Sequence, residues 1–219
     1  MRHLAVFARS PVAGRVKSRL SPALPAGLAA QLYSGLLADT FAVAKAARAD
    51  ERWVMWANDP APTPAGFLPH TQRGADLGER LREAFADLLT GETDRALILG
   101  SDTPPLTAAH VDEAFAALEA HDLVLGPTRD GGYWCIGLTR PAPELFADIP
   151  WSTGNVLTRT LARAHDAGLR VATVATLEDL DTPHDLAALM GALATGEPAC
   201  GPIARAALRT IGMLPAWLG

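Results

Sequence analysis

An aspartate stands at the end of an apolar segment in LILGSDTPPLT, residues 97–107. The apolar run predicts a buried strand, and Asp102 follows it closely. Pro104 and Pro105 prevent a helix from beginning directly after this carboxylate, which predicts a turn. A charged side chain at the end of a core strand needs a partner or has a functional role. A carboxylate at this place can hold a divalent cation that binds phosphate oxygens. The alternative is an aspartate that only forms the turn.

A second aspartate has a similar setting in EDLDTPHDL, residues 178–186. Asp181 follows an apolar segment and precedes Thr182 and Pro183, which are typical of a helix start. Asp179 competes with Asp181 for a metal-binding role. Acidic residues are common just before helices, where they stabilise the positive end of the helix dipole, so a purely structural role is an equal alternative.

A basic loop, PVAGRVKSRL at residues 11–20, follows the first apolar segment. Its glycine and its closely spaced cations suit the binding of a polyanion such as a nucleotide phosphate. The spacing matches neither G-x-x-x-x-G-K nor G-x-G-x-x-G, which disfavours a P-loop and a Rossmann dinucleotide site. The alternative is a loop that is merely solvated. The residues of interest are Gly14, Arg15, Lys17 and Arg19.

Paired glycines follow a carboxylate in GPTRDGGYW, residues 126–134. Gly131 and Gly132 would let a ligand approach the backbone closely beside Asp130, but the same pattern is typical of a hairpin turn. Trp151 begins an aromatic and polar patch, WST, for which core packing and helix capping are the alternative.

Glycines also flank a carboxylate in QRGADLGER, residues 72–80. Gly74 and Gly78 lie on either side of Asp76, just before a predicted helix. Capping of that helix by Asp76 explains the pattern adequately, and contact with a nucleotide is the second interpretation.

Alternating strands and helices must position these residues. The apolar segments predict strands, and the helical periodicity of the segments between them predicts crossover helices, so a mostly parallel sheet covered on both faces is expected. Ligands of such sheets bind at the carboxyl ends of the strands. The predicted loop 58–75 contains four prolines. Strands are predicted at 3–8, 52–57, 96–100, 122–127, 133–138 (near an edge or bend) and 170–175, and helices at 26–47, 76–89, 107–120, 154–168 and 182–194.

The composition excludes several classes of protein. The 219 residues are 49% apolar and 20% charged, which is typical of a soluble globular protein. We expect one domain over residues 1–195. An irregular C-terminal extension over residues 196–219 is expected to pack on this domain or on a partner subunit. The net charge of −5 disfavours nucleic-acid binding. No apolar stretch is long enough to span a membrane, and the short apolar run at the N-terminus resembles no secretory signal, so a cytoplasmic protein is expected. Cys135 and Cys200 stand far apart without a Cys/His cluster, which disfavours a zinc site.

Six segments of the chain resemble, in this order, a small bacterial glycosyltransferase-like family that was formerly classed as a domain of unknown function. That family belongs to the nucleotide-diphospho-sugar transferase superfamily, and some members are linked to arsenosugar biosynthesis. The resemblance covers residues 3–190 and implies the GT-A fold, an α/β fold with a mostly parallel, Rossmann-like sheet and helices on both faces. The segments are FARSPVAGRVKSRL, QRGADLGERLREAF, LILGSDTPPLT, LVLGPTRDGGYWCIGL, LFADIPWSTGNVLTRT and LEDLDTPHDL.

The resemblance also implies a role for each of these residues. Asp102 matches the metal-binding acid of the D-x-D motif, although Ser-Asp-Thr stands here, so that a second ligand to Mg²⁺ or Mn²⁺ is expected from Asp181. Arg15, Lys17 and Ser101 are expected to contact the nucleotide. The base and ribose pocket is expected from Gly74, Asp76 and Gly78, and the sugar or acceptor side from Asp130, Gly131, Gly132 and Trp151.

Three functions are compatible with this pattern. The first is a metal-dependent glycosyltransferase that takes a nucleotide-diphosphate sugar and a small-molecule acceptor, with Asp130 as base and Lys17 stabilising the leaving diphosphate. The second is a nucleotidylyltransferase, similar to guanylyl- or cytidylyltransferases, that joins an NTP to a phosphorylated small molecule. GRVKSRL lacks the G-x-G-x-R-M-G pattern of typical nucleotidyltransferases, which favours the first. The third is a nucleotide-binding protein without activity, and a homodimer is compatible with each.

Overall fold

Seven strands form one sheet in the computed structural model, which describes residues 1–57 and 60–215. The strand order is β3-β2-β1-β4-β6-β5-β7, and β6 runs antiparallel to both of its neighbours while the other pairs are parallel. The predicted α/β architecture is therefore confirmed. The strands are β1 (Arg2–Arg9), β2 (Glu51–Ala57), β3 (Leu68–Thr71), β4 (Arg95–Leu99), β5 (Leu123–Pro127), β6 (Tyr133–Leu138) and β7 (Val171–Thr173).

Helices cover both faces of this sheet because its strands are apolar on both sides. Leu4 and Val6 of β1 belong to a core under α1 and α3, whereas Ala5 between them belongs to a core under α2 and α4. This alternation is what a strand buried on both faces requires. Within the described residues, no helix combines the length and apolar character of a membrane span. The helices are α1 (Ala26–Ala46), α2 (Leu77–Leu88), α3 (Ala108–Ala117), α4 (Val156–Asp166), α5 (Pro183–Ala194) and α6 (Pro202–Thr210).

Two features of the sheet differ from the sequence prediction. The predicted loop 58–75, of which residues 58 and 59 lie outside the described part, contains the edge strand β3. Most of β3 is exposed and it includes Pro69, so it lacks the apolar pattern of a core strand, and an edge is where a sheet tolerates proline. Of the predicted edge or bend at β6, the edge is wrong, because β6 is buried between β4 and β5. Its pairing with β5 is irregular, with a register shift between Gly126 and Pro127.

The C-terminal segment contains a helix where an irregular extension was predicted. Helix α6 packs on α1 in a third apolar core, to which α5 also contributes, and residues 216–219 lie outside the described part. Asp39 of α1 is 8% exposed and accepts hydrogen bonds from the backbone N–H groups of Ile203 (3.0 Å) and Ala204 (2.7 Å). These are N–H groups of the first turn of α6, which have no partner inside the helix. Asp39 therefore anchors α6 on the body of the protein.

Asp39→Ala is expected to lower the free energy of unfolding by about 2 kcal/mol, since charged acceptors of buried N–H groups contribute about 1.5–3 kcal/mol. Urea denaturation of the variant beside the parent protein measures this loss. Asp39→Asn is the matched control, because it keeps one acceptor oxygen and should lose clearly less. Equal stability of the alanine variant and the parent would show that α6 needs no anchor.

Candidate functional site

A cleft of about 620 Å³ opens at the carboxyl ends of the parallel strands. Strand β1 contributes its last residues and β4 contributes the turn that follows it, while the basic loop and the start of α2 form the sides. This is the edge at which parallel sheets bind ligands. The charged residues that line the cleft are Arg9, Arg15, Lys17, Arg19, Asp76, Arg80, Asp102 and Asp181.

Lys17 joins the two aspartates that the sequence singled out. Its Nζ donates to Oδ2 of Asp102 at 2.9 Å and to Oδ1 of Asp181 at 2.7 Å. The Lys17 side chain is only 4% exposed, whereas those of Asp102 and Asp181 are 37% and 34% exposed. Burial opposes the charge of this ammonium, but the attraction and hydrogen bonds of both carboxylates outweigh it and raise the pKa of Lys17. Lys17 is therefore buried, and it does not follow the alternative interpretation of the sequence, a loop that is merely solvated.

Backbone contacts bring the two aspartates together although they lie far apart in sequence. The carbonyl of Asp102 accepts a hydrogen bond from the N–H of Leu180 at 3.0 Å, which fixes the loop after β7 against the turn after β4. Asp185, at the first turn of α5, accepts from the N–H groups of Asp181 (3.0 Å) and Thr182 (2.7 Å). The predicted helix start at Thr182 thus also orients Asp181.

The hydroxyl group of Tyr33 connects the end of β1 to the turn that carries Asp102. It accepts a hydrogen bond from the N–H of Arg9 at 3.0 Å and lies 2.9 Å from Oγ of Ser101. Tyr33 is 4% exposed and lines the cleft from α1. Burial is the largest cause of its raised pKa, so the phenol stays protonated. We interpret Tyr33 as a positioning residue for Ser101 and Asp102.

Tyr33→Phe is expected to weaken the binding of a nucleotide and Mn²⁺, the ligands that the sequence predicts for this cleft, about 10-fold, because the N–H of Arg9 and the buried hydroxyl of Ser101 lose this partner. Calorimetric titration with a nucleotide and Mn²⁺ measures the loss. Tyr133→Phe removes the same group from the only other tyrosine, which does not line the cleft, and serves as the matched control. Equal losses in both variants would indicate a purely structural hydroxyl.

The start of α2 forms the opposite wall of the cleft. Asp76 caps α2 by accepting from the N–H of Glu79 at 2.9 Å, as predicted, and it also lines the cleft. Arg80 donates through Nε to the carbonyl of Gly74 at 3.1 Å. Gly78 is buried beneath Trp151, and a Cβ there would lie 2.8 Å from the indole Nε1. Gly78 therefore allows Trp151 to pack onto α2 and reach the cleft, instead of contacting a ligand itself.

The turn between β5 and β6 contains the predicted catalytic base, Asp130. Its Oδ1 accepts from the Thr128 hydroxyl at 2.6 Å and from the N–H of Gly132 at 2.9 Å. Gly131 has a φ of +90°, and a Cβ there would collide with the carbonyl of Gly154. The described residues that line the cleft include none of Asp130, Gly131 and Gly132. These residues follow the alternative interpretation of the sequence, a tight turn.

Asp179 lies on the other side of the loop from Asp181. It lines a separate, more apolar cavity of about 580 Å³, between Pro104 and the first turns of α5. Burial is the first cause that raises its pKa, to about 7, and repulsion from Asp130, Asp102 and Asp181 adds to it. Of the two competing acids, Asp181 is therefore the one that reaches the cleft.

The pair of carboxylates can share a cation, because both already bind the ammonium of Lys17. Oxygen donors are the ligands that Mg²⁺ and Mn²⁺ prefer. Among residues 1–57 and 60–215, no three His, Cys, Asp or Glu side chains are arranged to hold a metal ion. Asp102 and Asp181 therefore fit a divalent ion whose other ligands come from phosphate oxygens or water.

Several residues of the cleft were missed by sequence reasoning. Arg9 stands at the end of the first apolar strand, so the rule that identified Asp102 applies equally to it. Arg80 lies on the predicted helix α2 without a distinguishing motif. Tyr33 and Gln72 give no signal, because a tyrosine in an apolar helix is typical of a core and a glutamine in a loop is usually solvated.

A family model described as an uncharacterised protein conserved in bacteria, DUF2064, matches residues 28–153. The chain belongs to this family. A solved structure, a candidate nucleotide-diphospho-sugar transferase from Desulfovibrio desulfuricans G20, is 28% identical with a TM-score of 0.84, and the match covers 95% of this chain and 94% of that one. The predicted family and the nucleotide-diphospho-sugar transferase fold are thus confirmed.

Two further proteins have informative names. A phosphoenolpyruvate guanylyltransferase of Sphaerobacter thermophilus is 29% identical to this DUF2064 member over 180 residues, 80% of this chain and 86% of that protein. Rv0371c of Mycobacterium tuberculosis H37Rv, solved in complex with manganese, is 17% identical with a TM-score of 0.50 and covers 85% of this chain and 96% of that one. The second likeness concerns the fold alone.

Proposed function

We propose that the protein is a metal-dependent nucleotidylyltransferase, which joins the nucleoside monophosphate of an NTP to a phosphorylated small molecule and releases pyrophosphate. The observation that carries this proposal is the composition of the cleft: five cationic side chains line it beside the paired carboxylates of Asp102 and Asp181. Such a surface suits the charge of a triphosphate and of a second phosphate brought against it.

The carboxylates of the cleft favour transfer to a phosphate over transfer to a hydroxyl. A hydroxyl acceptor gains about 10²–10⁴-fold from a general base, whereas a phosphate oxygen is already ionised. Among the described residues lining the cleft, the carboxylates are Asp76, Asp102 and Asp181. The first caps α2 and the other two bind Lys17, so each is engaged by the protein. Asp130, the base that glycosyl transfer was expected to use, is held in a turn.

The reaction needs positioning and neutralisation of charge rather than proton transfer. An oxygen of the acceptor phosphate attacks the α-phosphorus, the bond from that phosphorus to the bridging oxygen breaks, and pyrophosphate leaves with the electron pair. Lys17 and Arg15 neutralise the phosphates from the basic loop, and Arg80 does so from α2. A divalent ion held by Asp102 and Asp181 would supply further electrophilic stabilisation of the phosphoryl oxygens.

The relative from Sphaerobacter thermophilus gives the first substrates to test. Its name specifies a guanylyl group and phosphoenolpyruvate. GTP and phosphoenolpyruvate are therefore our first choice of nucleotide and acceptor for this chain, and Mn²⁺, present in the Rv0371c structure, is the first choice of metal.

Pyrophosphate release tests this proposal. The purified protein is incubated with each of the four NTPs, or with a nucleotide sugar in their place, with Mg²⁺ or Mn²⁺, and with or without phosphoenolpyruvate or a sugar phosphate. We expect pyrophosphate only when one NTP and one phosphorylated acceptor are both present. Release of a nucleoside diphosphate from a nucleotide sugar would contradict the proposal and support glycosyl transfer, and nucleotide binding without any turnover would support a non-catalytic protein.

A further inference from the structure

The ammonium of Lys17 occupies the space between the two carboxylates that the proposed function assigns to a divalent ion. It lies 2.9 Å from Asp102 and 2.7 Å from Asp181 and is almost completely buried. An ion bound by these same two oxygens would occupy the position of the ammonium. Lys17 is also the residue proposed to bind the nucleotide phosphates, so one side chain has two competing sets of anionic partners.

We propose that Lys17 is an exchangeable internal cation, which neutralises Asp102 and Asp181 until a divalent ion replaces it and which then binds the nucleotide phosphates. This inference rests on the proposed function, because it assumes that the two carboxylates bind the metal. It adds a coupling between the ligands. The metal would release Lys17 from the two carboxylates, so that Lys17 can bind the phosphates. The bound phosphates would keep Lys17 away from the carboxylates, so that the metal can bind there. Each ligand therefore strengthens the binding of the other.

The charges around Lys17 support the exchange. Two carboxylates against the buried ammonium leave one negative charge, opposite which Arg19 stands largely exposed at 3.7 Å from Asp181. Asp179 lies near enough to both carboxylates that their charges help to raise its pKa. A divalent ion balances the charge of the two carboxylates better than an ammonium does. An ammonium that stayed beside the ion would be repelled by it, because two positive charges would lie only several ångströms apart in a partly buried site. The nucleotide phosphates would then be the anionic partners of Lys17.

The backbone at Lys17 supports it as well. Lys17 has φ 50° and ψ 35°, the left-handed conformation, which costs a residue with a side chain on the order of 1 kcal/mol. Residues 12–15 are exposed, whereas Val16, between them and Lys17, belongs to the core. A rotation of the backbone at Lys17 would relieve the strained conformation, and Val16 would keep the loop attached to the core.

The chain offers a direct test, because it contains only two lysines, Lys17 and Lys45. Lys45 is exposed on α1 and serves as an internal reference. Timed reductive methylation followed by peptide mass spectrometry gives the rate of labelling at each. Without metal, Lys17 is expected to react at least 10-fold more slowly than Lys45. Saturating Mn²⁺ should accelerate Lys17 at least 10-fold, GTP together with Mn²⁺ should protect it again, and Lys45 should not change.

Manganese affinity tests the same exchange from the side of the metal. Titration of Mn²⁺ followed by electron paramagnetic resonance should show at least 10-fold tighter binding to Lys17→Met than to the parent, and the variant should lose the gain in affinity that GTP gives the parent. Lys45→Met is the matched control. Lys45 is exposed on α1 and does not line the cleft, so its loss should change the affinity less than 3-fold.

Two results would overturn the exchange. One is a labelling rate of Lys17 that stays constant while Mn²⁺ binds. The other is a Lys17→Met variant that binds Mn²⁺ no more tightly than Lys45→Met does. Both results indicate an ion bound beside the lysine. Failure of the proposed metal site looks different, because Asp102→Asn would then bind Mn²⁺ as the parent does. The labelling test uses the unmodified chain and remains decisive if Lys17→Met does not fold.

Discussion

Asp102→Asn is expected to lower kcat/KM for nucleotidyl transfer about 10³-fold, or about 4 kcal/mol of transition-state stabilisation. The amide is a weaker ligand for a divalent ion and carries no charge to balance it. The fold should survive, because Asp181 still pairs with Lys17 and the carbonyl of residue 102 still accepts from Leu180. Steady-state kinetics measures the loss of kcat/KM, and calorimetric titration with Mn²⁺ measures the accompanying loss of metal affinity.

Asp87→Asn is the matched control for this substitution. Asp87 pairs with Arg73 at 2.9 Å on the exposed side of α2 and does not line the cleft, so kcat/KM should not change. Thermal unfolding of both variants separates function from stability. A marked loss of stability in Asp102→Asn alone would identify Asp102 as a turn residue, the alternative that the sequence left open.

Lys17→Met is expected to lower kcat about 10²-fold, because removing one preorganised donor to a developing charge typically costs about 10²–10³-fold. Affinity for the nucleotide should fall by about 1–3 kcal/mol, the range for a hydrogen bond between charged groups. Stability should fall too, since two carboxylates remain without the buried cation between them. The loss of stability follows from the burial of Lys17, since a merely solvated loop cation would contribute little to it.

Lys45→Met is the control, because Lys45 is exposed on α1, away from the residues lining the cleft. It should leave kcat and nucleotide affinity unchanged. Single-turnover kinetics and urea denaturation separate the catalytic loss from the loss of stability. An unchanged nucleotide affinity in Lys17→Met would indicate that the lysine serves the ion pair alone.

The arrangement of the sheet could be predicted from the sequence because the physics of buried strands is local. Apolar segments bounded by polar turns gave six of the strands, and the rule that parallel strands present ligands at their carboxyl ends placed Asp102 and Asp181 on one edge. Strand β3 has no such local signal, because its partner β2 and not its own side chains hold it in the sheet. Helix α6 depends in the same way on Asp39.

The details of the site depend on three-dimensional contacts that no spacing reveals. The sequence presents Lys17 as an exposed loop cation, and only the fold places it between two carboxylates. Tyr33 has the pattern of a core residue until its hydroxyl group is seen to join Arg9 to Ser101. At Asp130 the sequence pattern suggested a ligand contact that was only one of two interpretations. Its glycine neighbours suit a ligand and a tight turn equally, and the structure forms the turn.

The fate of the α-phosphorus tests nucleotidyl transfer most directly. The protein is incubated with GTP labelled with ³²P at the α-position, Mn²⁺ and phosphoenolpyruvate, and the products are separated by ion-exchange chromatography. We expect the label in a new product that also contains the acceptor, with unlabelled pyrophosphate in equal amount, and neither in Asp102→Asn. Two results together would contradict nucleotidyl transfer. The label would remain in GTP, and a nucleotide sugar supplied in place of GTP would yield a nucleoside diphosphate and a glycosylated acceptor.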